Sequence, residues 1–281
     1  MILSRLFAPM PRAETLRSRA NPVYKRLRAL KERADRELCF LEGPRLVLEA
    51  LEAGVAVVEA AASERAEASP AGRAALAALR QRGVPLRPMS AALVSSLSET
   101  ETSQGLVALA RRPSLPGERI FRGTPLLLVA DGVQNPGNLG GLLRTAEAAG
   151  ASGALLAGGC ADPFSWKALR GSMGSAFRVP HLRGIPIDQA LDLLEARRIP
   201  VLATTAQGER RYDEADLRGP VAIVVGAEGA GLPATVLERA AARLRIPLRN
   251  PVESLNVGVA AALVLFEAAR QRGFRGAGPE G

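Results

Sequence analysis

The sequence predicts an α/β protein built from two units. Three observations carry this. Strand-like and helix-like stretches alternate along nearly the whole chain, a pattern that favours α/β folds. The stretch Arg111–Thr124 (RRPSLPGERIFRGT) interrupts the alternation with two prolines, two glycines and no apolar periodicity. Beyond it, short uninterrupted apolar runs read as strands of a parallel sheet buried on both faces.

The elements before the break follow in order. A basic helix is expected over about Pro22–Arg33, then a strand at Leu38–Leu41. Glu42-Gly43-Pro44 leads into a helix over Arg45–Ala53, with Pro44 suited to a first helical turn. Val55–Ala61 reads as a strand, and Pro70–Arg82 as a helix stopped by Gly83. Val84–Arg87 and Gly105–Ala110 read as strands, with a helix near Ala91–Leu97 between them. Beyond the break, Leu126–Ala130, Ala154–Ala157, Val201–Thr204 and Val221–Val225 read as parallel strands. Leu139–Ala149, Phe164–Leu169, Asp188–Ala196 and Pro233–Ala242 read as helices, the next strand reads Leu244–Leu248, and a long apolar helix over about Leu255–Arg272 closes the unit. The expected division is a basic extension 1–20, a first domain 21–110, a linker 111–124, a second domain 125–273 and a disordered tail 274–281.

Composition narrows the chemistry. The chain of 281 residues is 47% hydrophobic, enough for a globular core, and carries a net charge of +9. That charge has two readings, an anionic partner such as nucleic acid or a general Arg-rich bias, since only Lys25, Lys31 and Lys167 are lysines. Its distribution adds to the first: residues 1–36 hold ten Arg or Lys against Glu14, Glu32 and Asp35. Cys39, Cys160 and the sole histidine, His181, leave no basis for a disulfide framework or a zinc site. No metal is expected. The amino-terminal MILSRLFAPMPR lacks the apolar run of a signal peptide, and no stretch reaches the roughly 20 apolar residues of a membrane helix. A soluble, cytoplasmic protein is expected.

Three motifs carry the functional signal. The first, Asp131-Gly-Val-Gln-Asn135-Pro-Gly-Asn138-Leu-Gly140-Gly141-Leu-Leu-Arg144, follows a strand and opens a helix. Such a loop can aim backbone N–H groups at an anion. It has no Gly-Lys-Ser/Thr of a Walker loop, and Leu139 stands where a dinucleotide fingerprint needs glycine. Arg144 read alone is a solvated helix arginine. The second motif, Val221-Ala-Ile-Val-Val-Gly226-Ala-Glu228-Gly229-Ala-Gly231-Leu-Pro233, runs a buried strand into a glycine-dense turn with one carboxylate. Gly229-x-Gly231-x-x-Ala234 satisfies the relaxed dinucleotide fingerprint, but the following strand ends in no acidic residue to hold a ribose. The third, Ile246-Pro-Leu248-Arg-Asn250-Pro-Val-Glu253-Ser254-Leu255-Asn256-Val257-Gly258, sets Ser254 as a helix cap and places Asn256 in an apolar run. A buried Asn there needs partners for both its amide and its carbonyl, from a ligand or a neighbouring motif.

In order, spacing and residue type the three motifs resemble the SpoU (TrmH-like) branch of the SPOUT methyltransferases. The segment Trp166-Lys-Ala-Leu-Arg-Gly-Ser-Met-Gly-Ser-Ala-Phe177 is similar to the stretch between that family's first two motifs. Less specifically, Phe40–Glu49 and Thr102–Ala108 resemble its small substrate-binding domain, of ribosomal-protein L30e-like fold.

The resemblance implies an S-adenosyl-L-methionine-dependent RNA 2′-O-ribose methyltransferase, acting on ribosomal RNA of the 23S type. Alternatives at this stage are a transfer RNA enzyme, an RNA-binding ribosome assembly factor without catalysis, and, from the glycine turn, a dinucleotide oxidoreductase. It implies an α/β SPOUT domain with a parallel sheet and a deep trefoil knot over about Val221–Val259, and a homodimer whose active site is completed across the interface. The donor site would involve Thr204, Thr205, Ala206, Gly226, Glu228, Gly231, Ile246, Leu248, Leu255 and Asn256. Asn138, Arg144, Glu228, Ser254 and Asn256 would form the reacting constellation. The family's usual scheme makes the arginine the base. A guanidinium keeps its proton at neutral pH, so a cationic Arg144 that binds the adjoining phosphate and stabilises the developing alkoxide suits the chemistry better. The 2′-hydroxyl itself points to RNA, because DNA lacks it.

Overall fold

The structure, a computed structural model, describes residues 14–33, 35–99, 102–115, 117–227, 229 and 231–274. The chain divides into two compact units, Met1–Arg111 and Arg112–Gly281.

The first unit runs α1 (Pro22–Glu32), β1 (Leu38–Glu42), α2 (Pro44–Glu52), β2 (Val57–Ala62), α3 (Arg65–Ala68), α4 (Pro70–Gln81), β3 (Leu86–Pro88), α5 (Ala91–Ser96) and β4 (Leu106–Arg111). Local chemistry sets the helix starts. Asn21, Ser69 and Ser90 each accept a backbone N–H of the following turn, and prolines occupy the first position of α1, α2 and α4. Gly83, at φ +66°, stops α4 in the left-handed conformation that costs glycine least. The sheet order is β1-β4-β2-β3, antiparallel except for the β2–β3 pair. Phe40, Leu41, Leu79 and Leu109 fill its core.

The second unit continues with β5 (Leu126–Ala130), α6 (Pro136–Ala148), β6 (Gly153–Ala157), α7 (Trp166–Ser172), α8 (Ser175–Arg178), β7 (His181–Ile185), α9 (Ile187–Ala196), β8 (Val201–Thr204), β9 (Arg210–Arg211), β10 (Val221–Val225), α10 (Ala234–Arg239), β11 (Ala242–Arg245) and α11 (Val257–Gln271). The strands form one parallel sheet in the order β7-β6-β5-β10-β8-β11-β9. Every residue of β5, β6 and β10 is buried, as a sheet covered on both faces requires. The stretch before β5 is not a bare connector: Ile120, in a short 3₁₀ turn, is fully buried, and Arg112 pairs with Asp162 at 2.6 Å.

Several elements differ from the sequence reading, among them the short helices α3 and α8, which it did not contain. The helix expected over Pro233–Ala242 ends at Arg239, and Ala242–Arg245 is a strand. Helix-forming Ala and Arg yield here to register, since Ala242 pairs with Leu202 and Leu244 is fully buried. β7 and β9 are edge strands that the apolar pattern did not reveal. β7 exposes Arg183 and Gly184, and β9 is only two arginines.

The last helix returns across the sheet. It follows β11, on one side of β8, yet packs against α6 and β10 on the other. Its end is fastened by polar bonds: Gln271 accepts from the Leu217 N–H at 2.8 Å and donates to the Ala215 carbonyl at 2.8 Å, and Arg272 donates to the Leu217 carbonyl at 2.9 Å.

Candidate active site

In a parallel sheet all strands end on one edge, and ligands collect there, beyond the carboxyl ends. Here the loops after β8, β10 and β11, with the first turns of α11, enclose a cavity of about 530 Å³. That size lies within the range of small-molecule and cofactor sites, roughly 300–1,000 Å³. Backbone bonds fix the loops. Thr205 N–H donates to the Leu244 carbonyl at 2.9 Å, and Gly231 N–H to the Ala227 carbonyl at 3.1 Å. Gly226 permits this closeness, because a Cβ there would stand 2.3 Å from the Gly231 oxygen. Gly231 adopts φ +69°, which a side chain would strain. One wall carries an unmet polar group: the Thr204 hydroxyl oxygen is buried and has no hydrogen-bond partner. Such a group normally finds one, and the cavity is where a ligand could supply it.

The first and third motifs meet beside this cavity. Asn135, not Asn138, caps α6, its side chain accepting from the N–H groups of Gly137 at 2.8 Å and Asn138 at 3.3 Å. Those two donors are therefore met by the protein's own side chain and are not aimed at an anion, contrary to the reading from the loop alone. Asn256 is the cap of α11, accepting from the Gly258 N–H at 2.9 Å, and its amide donates to the Asn138 side-chain oxygen at 3.3 Å. Two corrections follow. Ser254 does not cap the helix, since α11 begins two residues later than a Ser254 cap would require. Asn256 is exposed rather than buried, and a neighbouring motif supplies the partners its amide was expected to need.

Of the residues assigned to a donor site, Thr204, Thr205, Ala206, Gly226, Gly231, Ile246, Leu248 and Leu255 line the cavity. Ser254, assigned to the reacting group, lines it too. Asn256 lies on the adjoining turn. Glu228 falls outside the described residues. Arg144 is exposed on α6 and does not line the cavity. It lies six residues beyond Asn138, about 9 Å along the helix and roughly 120° around it. Gln207, Leu232 and Glu253 also line the cavity and were not singled out. For Asn135 a signal existed, the Asn-Pro pair of a capped helix with proline in its first turn.

Titratable groups near the first motif are shifted by burial. It pushes the Asp131 carboxyl up, and Asp188 pushes it the same way. It also pushes the Cys160 thiol up, so that thiol is a poor nucleophile at neutral pH. Among the described residues no group of His, Cys, Asp and Glu could hold a metal ion, and no helix is long and apolar enough to cross a membrane.

Comparison with known proteins decides the family. Residues 125–266 match the SpoU rRNA Methylase family, and residues 21–108 match the MRM3-like substrate binding domain. The chain belongs to the SpoU rRNA methylase family. It is 34% identical over 257 residues to the 23S rRNA (guanosine(2553)-2′-O)-methyltransferase RlmP of Bacillus subtilis, covering 92% of this chain and 98% of that protein. A solved RNA 2′-O ribose methyltransferase is 40% identical with a TM-score of 0.83, over 92% of this chain and 99% of the other. The SpoU methyltransferase AviRb from Streptomyces viridochromogenes, solved in complex with the cofactor AdoMet, is 29% identical with a TM-score of 0.77, over 90% and 98%.

S-adenosylmethionine is the methyl donor of SpoU enzymes, and the cavity fits it. A glycine-lined slot with both apolar and polar walls suits an adenosyl group, and the Thr204 hydroxyl lacks a partner that a nucleoside can supply.

Proposed function

We propose that this enzyme transfers a methyl group from S-adenosylmethionine to a ribose 2′-hydroxyl of 23S-type ribosomal RNA, in the cytosol. The observation that carries the reading is the cavity at the carboxyl edge of the sheet, with its unmet Thr204 hydroxyl and the Asn138–Asn256 pair beside it. The substrate class rests on the relative named for 2′-O-methylation of 23S rRNA, almost all of whose length this chain spans.

In this scheme the donor supplies an electrophilic methyl on a sulfonium. Thr204, Thr205, Ala206, Gly226, Gly231, Ile246, Leu248 and Leu255 hold it. Asn138 and Asn256, with Ser254 and Glu228, orient the acceptor ribose. A cationic Arg144 binds the adjoining phosphate and stabilises the alkoxide as it develops. Since Arg144 points roughly 120° away from Asn138 along α6, it serves the cavity of a second subunit in a homodimer. The exposed Val259 and Phe266 support this assembly, because seven residues apart on α11 they present one apolar face. The strand order, with α11 returning across β10, supports a trefoil knot over about Val221–Val259.

The first unit, 21–110, is proposed as an L30e-like RNA-binding domain joined by 111–124 to the methyltransferase domain 125–273, with 1–20 a basic extension and 274–281 a tail. Within it Glu59 pairs with Arg87 at 3.2 Å and Arg26 at 3.8 Å. One nearly buried carboxylate thus steadies two half-exposed guanidiniums, an arrangement suited to phosphates.

The decisive experiment maps 2′-O-methylation on ribosomal and transfer RNA with and without the protein. A new methyl on ribosomal RNA is expected. Methylation confined to transfer RNA, or to a base, refutes the substrate assignment.

A further inference from the structure

We propose that Glu253 makes the cavity selective for the cationic methyl donor over its neutral, demethylated product. The inference rests on the donor assignment above and deepens it. Among the described residues lining the cavity, Glu253 alone carries a charge; the rest are apolar, small or neutral polar. It lines the cavity from the loop after β11, next to Ser254 and three residues before Asn256, so chain connectivity holds its Cα within about 11 Å of that of Asn256, whose side chain marks the end of the cavity bonded to Asn138. The acceptor oxygen belongs at that end. The sulfur bearing the methyl belongs there too, since the methyl must reach the acceptor.

A carboxylate at that place meets different charges before and after turnover. Methyl transfer forms an O–CH₃ bond and breaks the S–CH₃ bond, with its electron pair left on sulfur and the hydroxyl proton released to water. The sulfonium becomes a neutral thioether, and S-adenosylhomocysteine retains the ammonium and carboxylate of the amino-acid end unchanged. Glu253 therefore attracts the donor and loses its counter-charge once the product forms. Such an interaction favours ground-state binding and product exchange rather than the chemical step. Glu253 is exposed, so the attraction is screened and its effect is moderate.

Calorimetric titration of the intact protein with S-adenosylmethionine and with S-adenosylhomocysteine tests the proposal. Glu253→Gln, isosteric and exposed, is expected to keep the melting temperature and to weaken donor binding about three- to tenfold. Product binding should change by less than about twofold, and the donor effect should shrink as salt rises. Glu253→Asp, which keeps the charge, should retain most of the wild-type selectivity. Equal losses for both ligands overturn the proposal, because the carboxylate would then act on the shared ammonium. Unchanged affinities also overturn it. If the wild-type protein binds neither ligand, the donor assignment itself fails, a result distinct from both.

Discussion

Gly140 offers a sharp test of how the site is held. A Cβ at this position would lie 2.3 Å from the Ala168 carbonyl oxygen and 2.8 Å from the Ser172 nitrogen, both backbone atoms of α7. Ordinary contact begins near 3.4 Å, so α6 and α7 must part by about 1.1 Å to admit a methyl group. Backbone cannot rotate away as a side chain can. Overpacking of this kind costs roughly 1–3 kcal/mol, and the gain from replacing glycine by alanine in a helix returns roughly 1 kcal/mol. Gly140→Ala should therefore lose up to about 2 kcal/mol, or up to about 4–8 °C in melting temperature. The functional loss should be larger. Asn138 lies on the same helix, and its bond with Asn256 is already long at 3.3 Å. A shift near 1 Å breaks it, and misplacement of that size costs on the order of a hundredfold in rate. Gly141→Ala is the control, since a Cβ there meets nothing within 4 Å and should stabilise the helix by roughly 1 kcal/mol. Thermal melts and methyl-transfer rates on the two variants decide the matter. A Gly140→Ala protein that melts at or above wild type with full turnover would refute the argument.

Other substitutions separate binding, positioning and stability. Thr204→Val should leave the ligand-free protein as stable or about 1 kcal/mol more so, because it removes an unmet buried hydroxyl, and should weaken S-adenosylmethionine binding about tenfold in calorimetry. Unaltered affinity would remove Thr204 from the donor site. Asn256→Ala should cost about 1 kcal/mol through loss of the α11 cap, and Asn256→Ser should restore stability but not turnover, its side chain being too short to reach Asn138. Arg144→Ala should abolish methyl transfer while donor affinity stays at the wild-type value; near-normal turnover would sink its role. His181 is buried against Phe164, and burial pushes its imidazole below the ordinary value of 6.5. Protonation therefore opposes folding: its contribution is whole above about pH 6.5 and is lost as pH falls from there through the folded-state value. As the sole histidine it gives a single imidazole spin system by NMR, and a midpoint at or above 6.5 would contradict this environment.

Where burial and local chemistry agreed, the elements were legible in the chain. β5, β8 and β10 are continuous apolar runs with glycine or proline at their borders, and each lies where the pattern places it. The capped starts of α1 and α4 announced themselves as Asn-Pro and Ser-Pro pairs. Elements set by distant partners were misplaced or missed. The strand expected at Leu244–Leu248 is β11, Ala242–Arg245, its bounds set by pairing with β8 on one side and β9 on the other. β9 is only Arg210 and Arg211, a strand by virtue of running beside Leu244 and Arg245 of β11.

The candidate site was legible in its parts and not in its assembly. Each motif sits on the loop after one strand, and loops can be found by their glycines and asparagines. Which loops adjoin depends on strand order, and β8 lies between β10 and β11 although it precedes both in the chain. Only that interleaving brings Thr204, Gly226 and Leu255 around one cavity, and it is also what forces α11 to cross back over β10 toward α6. The Asn138–Asn256 bond spans 118 residues as a consequence. A chain that reached the same local structures with β10 and β11 exchanged would keep every motif and lose the site. The unusual path of the carboxyl-terminal segment is therefore the condition for the active centre, and the Gly140 and Asn256 variants probe it from its two sides, one through α6 and the other through α11.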